Sequence, residues 1–388
     1  MYSVSSVYIH IPFCRSKCAY CDFFSVPVTS IQDAYVNGII NEFDYYKDKY
    51  SLKKIDNLYI GGGTPSLLSS IQLKKIISKF FPFFSDNAEI TVEVNPESLT
   101  LQLLDEMLNM GITRISLGIQ SMDDNCLSTV CRCCNSSINR NALRILSEKE
   151  INYSVDLIAG LPPQNDDEFI KGLNEVISYN PKHISLYGLT LEENTALYKQ
   201  VSMGKIKCQE EKIESQWFAG WKFLEKHGFI QYEVSNFGIP GYESRHNINY
   251  WKQGSYLGLG AGGTGTLYQF DTNVAEGLRY TNSSNIDKYI DFWNGAKFFA
   301  DKNIIPCDKE FLDQKILAFE FCMLGLRMSQ GISLQEYSKR FSDTFPIEPF
   351  LRWEKKGLVE IKKTEKGDTL FAMTKKGLPF LNSFLSEL

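Results

Sequence analysis

Three thiols stand close together near the front of the chain, Cys14, Cys18 and Cys21, in a C-x3-C-x2-C spacing. Thiolates are metal ligands, and three on one tight loop suit a [4Fe–4S] cube: each holds one iron, and the fourth iron is left without a protein ligand. An iron with open positions can chelate a small molecule through an amine and a carboxylate. Zinc is the competing reading, with His10 as a fourth ligand, because Zn²⁺ accepts Cys3His sets. Structural zinc usually pairs two knuckles across a gap, however, and His10 lies in a strand pattern.

Other residues in the first half carry polar chemistry where apolar strands are expected. Gly61-Gly62-Gly63-Thr64-Pro65-Ser66 removes three consecutive Cβ atoms, so backbone N–H and C=O groups can approach a ligand, and Pro65 fixes the exit. Glu93 and Asp156 are acids inside apolar runs, costly to bury unless they bind something. Gln120 closes another run with amide donors and an acceptor. Further along, His246 stands with Tyr250 and Trp251, an imidazole among aromatic faces, which alone is commonly a satisfied core or surface residue.

The elements that must position these residues alternate. Strand-like runs cover 7–11, 55–60, 89–94, 114–119, 153–158 and 183–189, and helical periodicity covers 31–50, 67–84, 99–109, 139–148 and 166–178. Strands alternating with helices imply βαβ units on a parallel sheet. Six units fall short of a closed eight-fold barrel, so the expected fold class is α/β, a partial (β/α)6 barrel with ligands at the carboxyl ends of its strands. The remainder reads as an α/β appendage. It has a helix over 311–328, a capping box from Ser333 to Glu336, a helix over 348–356 stopped by Gly357, and a hairpin across Gly367-Asp368. The expected organisation is a core at 1–237 and a C-terminal domain at 238–388, with a winged-helix-like part at about 305–388. That part has no basic stripe, so docking or lid work is expected of it rather than DNA binding.

A net charge of −5 argues against a broad nucleic-acid-binding face. No apolar run approaches the roughly 20 residues a bilayer needs, and the start lacks the basic region of a signal peptide. The expected location is cytoplasmic, where ten cysteines are more plausibly free or metal-bound than bridged.

The Cys loop with Tyr20 before its last thiol resembles the signature of the radical S-adenosylmethionine (SAM) superfamily. Taken in order with GGGTPS, VEVNPE, SLGIQS, DLIAGLP and HISLYGLT, it resembles one branch, that of oxygen-independent coproporphyrinogen III dehydrogenase (HemN) and the heme chaperone HemW, over nearly the whole chain. The resemblance implies a [4Fe–4S] cluster on Cys14, Cys18 and Cys21. It implies SAM contacts from Tyr8, Tyr20, Gly62, Gly63, Thr64, Glu93, Gln120, Arg132 and Asp156. It further implies heme at His246 and Tyr250, since Ser244-Arg245-His246-Asn247-Ile248-Asn249-Tyr250 contains the H-N-x-x-Y element associated with heme binding in HemW. HemN carries an additional Cys two residues past the third cluster Cys, where this chain has Phe23. A heme chaperone is therefore expected, with a tetrapyrrole-modifying radical SAM enzyme as the alternative; the catalytic residues of such an enzyme are not assigned. The implied partners are heme, a heme-acceptor protein (a respiratory or membrane-associated one among the candidates) and a reductant such as flavodoxin or ferredoxin. The chain departs from the branch at Cys131-Arg132-Cys133-Cys134. The branch usually has Gly where Cys131 stands and His where Cys134 stands. Together with Cys126, these thiols are expected to stay unpaired rather than bind a second cluster or zinc.

Overall fold

The structure, a computed structural model, describes residues 2–28, 30–270, 274–295 and 305–388. Six strands take up the expected positions: β1 (Ser6–Ile11), β2 (Ile55–Gly62), β3 (Phe84–Val94), β4 (Arg114–Gln120), β5 (Tyr153–Ala159) and β6 (His183–Gly188). Each pairs in parallel with the next. The intervening helices are α1 (Gln32–Lys49), α2 (Ser70–Phe80), α3 (Leu101–Asn109), α4 (Asp124–Thr129), α5 (Ser136–Glu148) and α6 (Asp166–Ile177). Side-chain caps start most of them: Ser69 and Asn165 form reciprocal capping boxes with Gln72 and Glu168, and Thr100, Asp123 and Asn135 accept from first-turn N–H groups.

The strand alternation divides the sheet into two chemically distinct faces. Val7, Ile9, Ile11, Leu58, Ile60, Val92, Leu117 and Val155 point to one side and pack with the helices in the main core. Burying each such side chain stabilises the fold by about 1.5–3 kcal/mol. The alternate positions Ser6, Tyr8, His10, Asn57, Tyr59, Glu93, Ser116 and Asp156 form a polar face. A one-residue register slip would exchange the two faces, so the pattern fixes the pairing.

The sheet extends further than the six units. A parallel seventh strand, residues Tyr256–Leu259, lies on the other side of β1, so the parallel run is seven strands long. Antiparallel strands Thr264–Gln269, Glu276–Asn282 and Cys307–Leu312 continue that edge, and Asn236–Gly238 and Ile230–Glu233 continue the edge at β6, giving twelve strands. The large sheet therefore runs on past residue 237, where the sequence reading divides the chain.

A second core gathers the C-terminal residues around Phe321, Tyr337, Phe350, Phe371 and Phe384. It holds helices Gln314–Gly325, Leu334–Arg340 and Ile347–Lys355, and a three-stranded antiparallel sheet of Ile332–Ser333, Thr369–Met373 and Val359–Lys363. Two expectations are corrected. Phe311 belongs to a strand, and the helix starts three residues later behind the Asp313 cap. Only half of the capping box forms: Ser333 accepts from the Glu336 N–H, but the Glu336 carboxylate accepts from Arg340 instead. No helix among the described residues is long and apolar enough to cross a membrane.

Candidate functional site: a polar cavity at the carboxyl ends of the parallel strands

The cysteine loop follows β1 and is tied to distant parts of the chain. Phe13–Cys14 pairs in parallel with Val26–Pro27. Ala19 donates its N–H to Val130 O (2.9 Å) and its carbonyl accepts from Leu197 N (2.7 Å). Cys14, Cys18 and Cys21 are free, half-buried thiols that line one part of a cavity of about 560 Å³. Among the described residues no three His, Cys, Asp or Glu converge as ligands of one metal ion. A cube presents its irons at separate corners, so its thiolates need not converge. His10 cannot complete a zinc site here. Its Nε2–H donates to Phe24 O (2.9 Å) and its Nδ1 accepts from the Tyr8 hydroxyl (2.9 Å).

The glycine segment at the end of β2 is built for close approach. Gly62 has φ +113°, and a Cβ there would meet the His10 ring at 2.5 Å. A Cβ on Gly63 would lie 2.8 Å from Phe13 O and 3.0 Å from Cys14 Sγ. Gly63 and Thr64 donate their N–H groups to Ile11 O and Phe13 O, which locks this turn to the cysteine loop (2.8 Å each). Thr64 Oγ1 stands 3.6 Å from Cys14 Sγ and accepts from Asn95 Nδ2 (3.1 Å).

Two acids face the same space. Glu93 accepts from the Tyr59 hydroxyl (2.8 Å) and from Gly62 N (3.0 Å). Burial, opposed by the Tyr59 bond and aided by nearby Asp156, pushes its carboxyl up to about 7. Asp156 accepts from Ser116 (3.1 Å), and burial again raises it. Paired acids that bind protons this readily are poised to receive a cationic or hydroxyl-rich ligand.

Arg132 enters through a Schellman motif. At the end of α4, Arg132 N donates to Leu127 O and Cys131 N to Ser128 O, with Cys131 in the left-handed region at φ +56°. That geometry explains why the branch favours glycine at this position. The guanidinium donates to Gly118 O (2.5 Å) and Asn95 Oδ1 (3.3 Å) and lies 3.6 Å from Cys18 Sγ, while its Nε is buried without a partner. Gln120, at φ +66°, sits at an irregularity where β4 pairs with β5, a strained position of the sort found beside binding sites.

Of the residues expected from the sequence, Cys14, Cys18, Cys21, Tyr20, Gly62, Gly63, Thr64, Glu93, Gln120, Arg132 and Asp156 line this one cavity. Tyr59, Asn95 and Tyr187 line it as well and were not expected. The signal for Tyr59 is its place on the polar face, between Leu58 and Ile60 of the apolar one. Three expected residues do not line the cavity. Tyr8 is one layer deeper, held on His10 and stacked on Tyr59. His246 and Tyr250, on the helix Arg245–Trp251, lie deeper still: His246 is 2% exposed and both its ring nitrogens are engaged, Nδ1 with Asn57 Oδ1 (3.0 Å) and Nε2 with the Tyr250 hydroxyl (2.9 Å). In this arrangement both nitrogens are thus satisfied within the protein. The glycines from Gly258 to Gly263 lie outside the cavity lining. A Cβ on Gly258 would strike Thr264 O, and one on Gly260 would strike His10 O, so they serve backbone packing. The remaining thiols do not form one group, because Cys126 and Cys134 are buried whereas Cys131 and Cys133 are exposed.

Comparison with known proteins follows the same lines. Residues 8–176 match the Radical SAM superfamily and residues 312–364 the HemN C-terminal domain. The heme chaperone HemW of Buchnera aphidicola subsp. Schizaphis graminum is 32% identical over 98% of this chain and 97% of its own length. The chain belongs to the HemW family. HemW of Lactococcus lactis is 32% identical over 88% of this chain and 86% of that protein. The solved structure of coproporphyrinogen III oxidase (HemN) from Escherichia coli shares the fold, with a TM-score of 0.80 at 18% identity, covering 99% of this chain and 89% of that one. HemW membership in the superfamily implies a [4Fe–4S] cluster and SAM. The cavity fits the pair: three thiols on one loop, a glycine-lined turn, two protonatable acids for an ammonium or ribose, and a buried guanidinium nitrogen still in need of an acceptor.

Proposed function

We propose that this protein binds heme and passes it to an acceptor protein, on a scaffold that holds a [4Fe–4S] cluster and SAM. The observation that carries the reading is the similarity over 98% of the chain to a protein named as a heme chaperone. Phe23, standing where HemN has a further Cys, supports the same side of the branch. Cys14, Cys18 and Cys21 would hold the cluster. Gly62, Gly63, Thr64, Glu93 and Asp156 would receive the polar groups of SAM, with Tyr20 and Gln120 beside it, and Arg132 Nε would donate to its carboxylate. When bound, the cluster supplies an electron and an iron corner for the amino-acid end of SAM. The residues named orient that end, and the Tyr59–Glu93–Gly62 bonds hold the receiving carboxyl in place. The C-terminal core would serve docking or cover. The reading places the protein in the cytoplasm, served by a flavodoxin- or ferredoxin-like reductant and by an acceptor of the respiratory, membrane-associated kind.

The test uses anaerobically reconstituted protein. Heme titration is expected to show saturable binding, followed by transfer to an apo-acceptor. Incubation with reductant, SAM and coproporphyrinogen III is expected to give no protoporphyrinogen; its formation would assign the chain to tetrapyrrole modification instead.

A further inference from the structure

Three separate elements meet beside the cysteine loop. Thr64 comes from the turn after β2, Asn95 from the end of β3, and Arg132 from the end of α4. The backbone of Asn95 is pinned on both sides. Its N–H donates to Ser66 Oγ (3.4 Å), and its carbonyl accepts from Ser98 N (3.0 Å) and Ser98 Oγ (2.8 Å). Pro96, the next residue, keeps it extended, at φ −88° and ψ 142°.

Chemistry then leaves the side-chain amide one orientation. A guanidinium only donates, so the Asn95 atom 3.3 Å from Arg132 Nη2 is Oδ1, and Nδ2 donates to Thr64 Oγ1 at 3.1 Å. With Asn95 occupying a lone pair of that hydroxyl, its hydrogen is directed the other way, toward Cys14 Sγ at 3.6 Å, a reach suited to the larger sulfur atom. The same guanidinium extends Nη1 to Cys18 Sγ, also at 3.6 Å, while Nη2 is held on Gly118 O (2.5 Å). Gly118 leaves room for the meeting: a Cβ there would lie 3.1 Å from Gln120 Nε2 and 3.4 Å from Asn95 Oδ1. One amide thus sets donors on two of the three sulfurs of the loop.

We propose that Asn95 is a positioning residue of the cluster. Acting through Thr64 Oγ1 and Arg132 Nη1, it aims hydrogen bonds at Cys14 and Cys18 and so raises the reduction potential of the [4Fe–4S] cluster they hold. Hydrogen bonds to the sulfurs favour the more negative, reduced state and are one of the protein's levers on that potential. The proposal rests on the reading of Cys14, Cys18 and Cys21 as the cluster ligands.

The experiment is a potentiometric titration of anaerobically reconstituted full chains, followed by the electron paramagnetic resonance signal of the reduced cluster. SAM is left out, so its contacts with Thr64 and Arg132 do not enter. Asn95→Leu is expected to make one-electron reduction about tenfold less favourable, a fall of about 59 mV. Thr64→Val, which removes only the Cys14 donor, is expected to lose about threefold. Thr64→Ser, which keeps the hydroxyl, is expected to stay within about twofold of the parent. The double variant Asn95→Leu, Thr64→Val should match Asn95→Leu, because both changes act on one hydroxyl. Should Asn95→Leu take up no iron, the contrast between Thr64→Val and Thr64→Ser carries the test. An unchanged potential in Asn95→Leu, additive losses in the double variant, or equal potentials in Thr64→Val and Thr64→Ser would each overturn the proposal while leaving the cluster reading intact. A parent chain that takes up no iron–sulfur cluster removes the reading, and the proposal with it.

Discussion

Replacing Glu93 by Gln separates two effects that share one carboxyl. In the folded, SAM-free protein burial and Asp156 raise this group from 4.5 to about 7. Below 4.5 the carboxyl is protonated in both folded and unfolded chains and costs nothing. Between 4.5 and 7 the unfolded chain ionises while the folded one does not, and the fold loses stability as pH rises; above 7 the loss is complete. At about 1.4 kcal/mol per tenfold change in proton affinity, it reaches about 3 kcal/mol, an upper bound because cavity water relieves part of it. Gln escapes this cost but gives up one accepted hydrogen bond, worth about 1 kcal/mol. Glu93→Gln should therefore stabilise the SAM-free protein by about 1–2 kcal/mol at pH 8 and bring no gain at pH 4.5, while weakening SAM binding at least tenfold. Glu42 and Glu233, raised to about 8 and about 7 by burial, add the same slope to both proteins and cancel in the comparison. Anaerobic urea midpoints at the two pH values, with SAM titrations alongside, make the measurement. A variant whose stability follows pH as the parent's does, or that binds SAM as well, refutes the reasoning.

Other outcomes follow from the same geometry. Cys131→Gly relieves a left-handed residue costing about 1–2 kcal/mol and adds about 0.5–1 kcal/mol of unfolded-state freedom, so stability should rise by a net of about 0.5–1 kcal/mol, read as a higher urea midpoint. Gly63→Ala puts a Cβ 2.8 Å from Phe13 O and should cost most of the bound iron, whereas Gly111→Ala, with nothing within 4 Å, should lower stability and spare the iron. Cys21→Ala should fail to hold a full cluster on anaerobic reconstitution, while Cys133→Ala, which lines the cavity outside the loop spacing, should reconstitute as the parent does.

The six βα units were legible because their strands largely alternate apolar and polar positions and most of their helices carry side-chain caps. The cavity was legible because Cys14, Gly62, Glu93, Gln120 and Asp156 interrupt those patterns at strand ends or on one face. Tyr59 and Asn95 were missed because an aromatic and an amide in such strands look like ordinary sheet residues until the register pairs Asn57 with Ser6 and Tyr59 with Tyr8. The strand Tyr256–Leu259 was missed for a different reason. Its parallel partner β1 lies some 250 residues away, beyond the reach of any local pattern. The burial of His246 was not legible, because a motif names a side chain without saying which end of the sheet it faces.

The place of β1 carries a consequence for synthesis. The strand that leads into the cluster loop has β2 on one side and Tyr256–Leu259 on the other, so its second neighbour leaves the ribosome only after two-thirds of the chain is made. Until then one row of its backbone groups is unpaired, and long-range pairing of this kind is slow to form. The loop that carries Cys14, Cys18 and Cys21 thus hangs from a strand whose pairing is completed only late in synthesis.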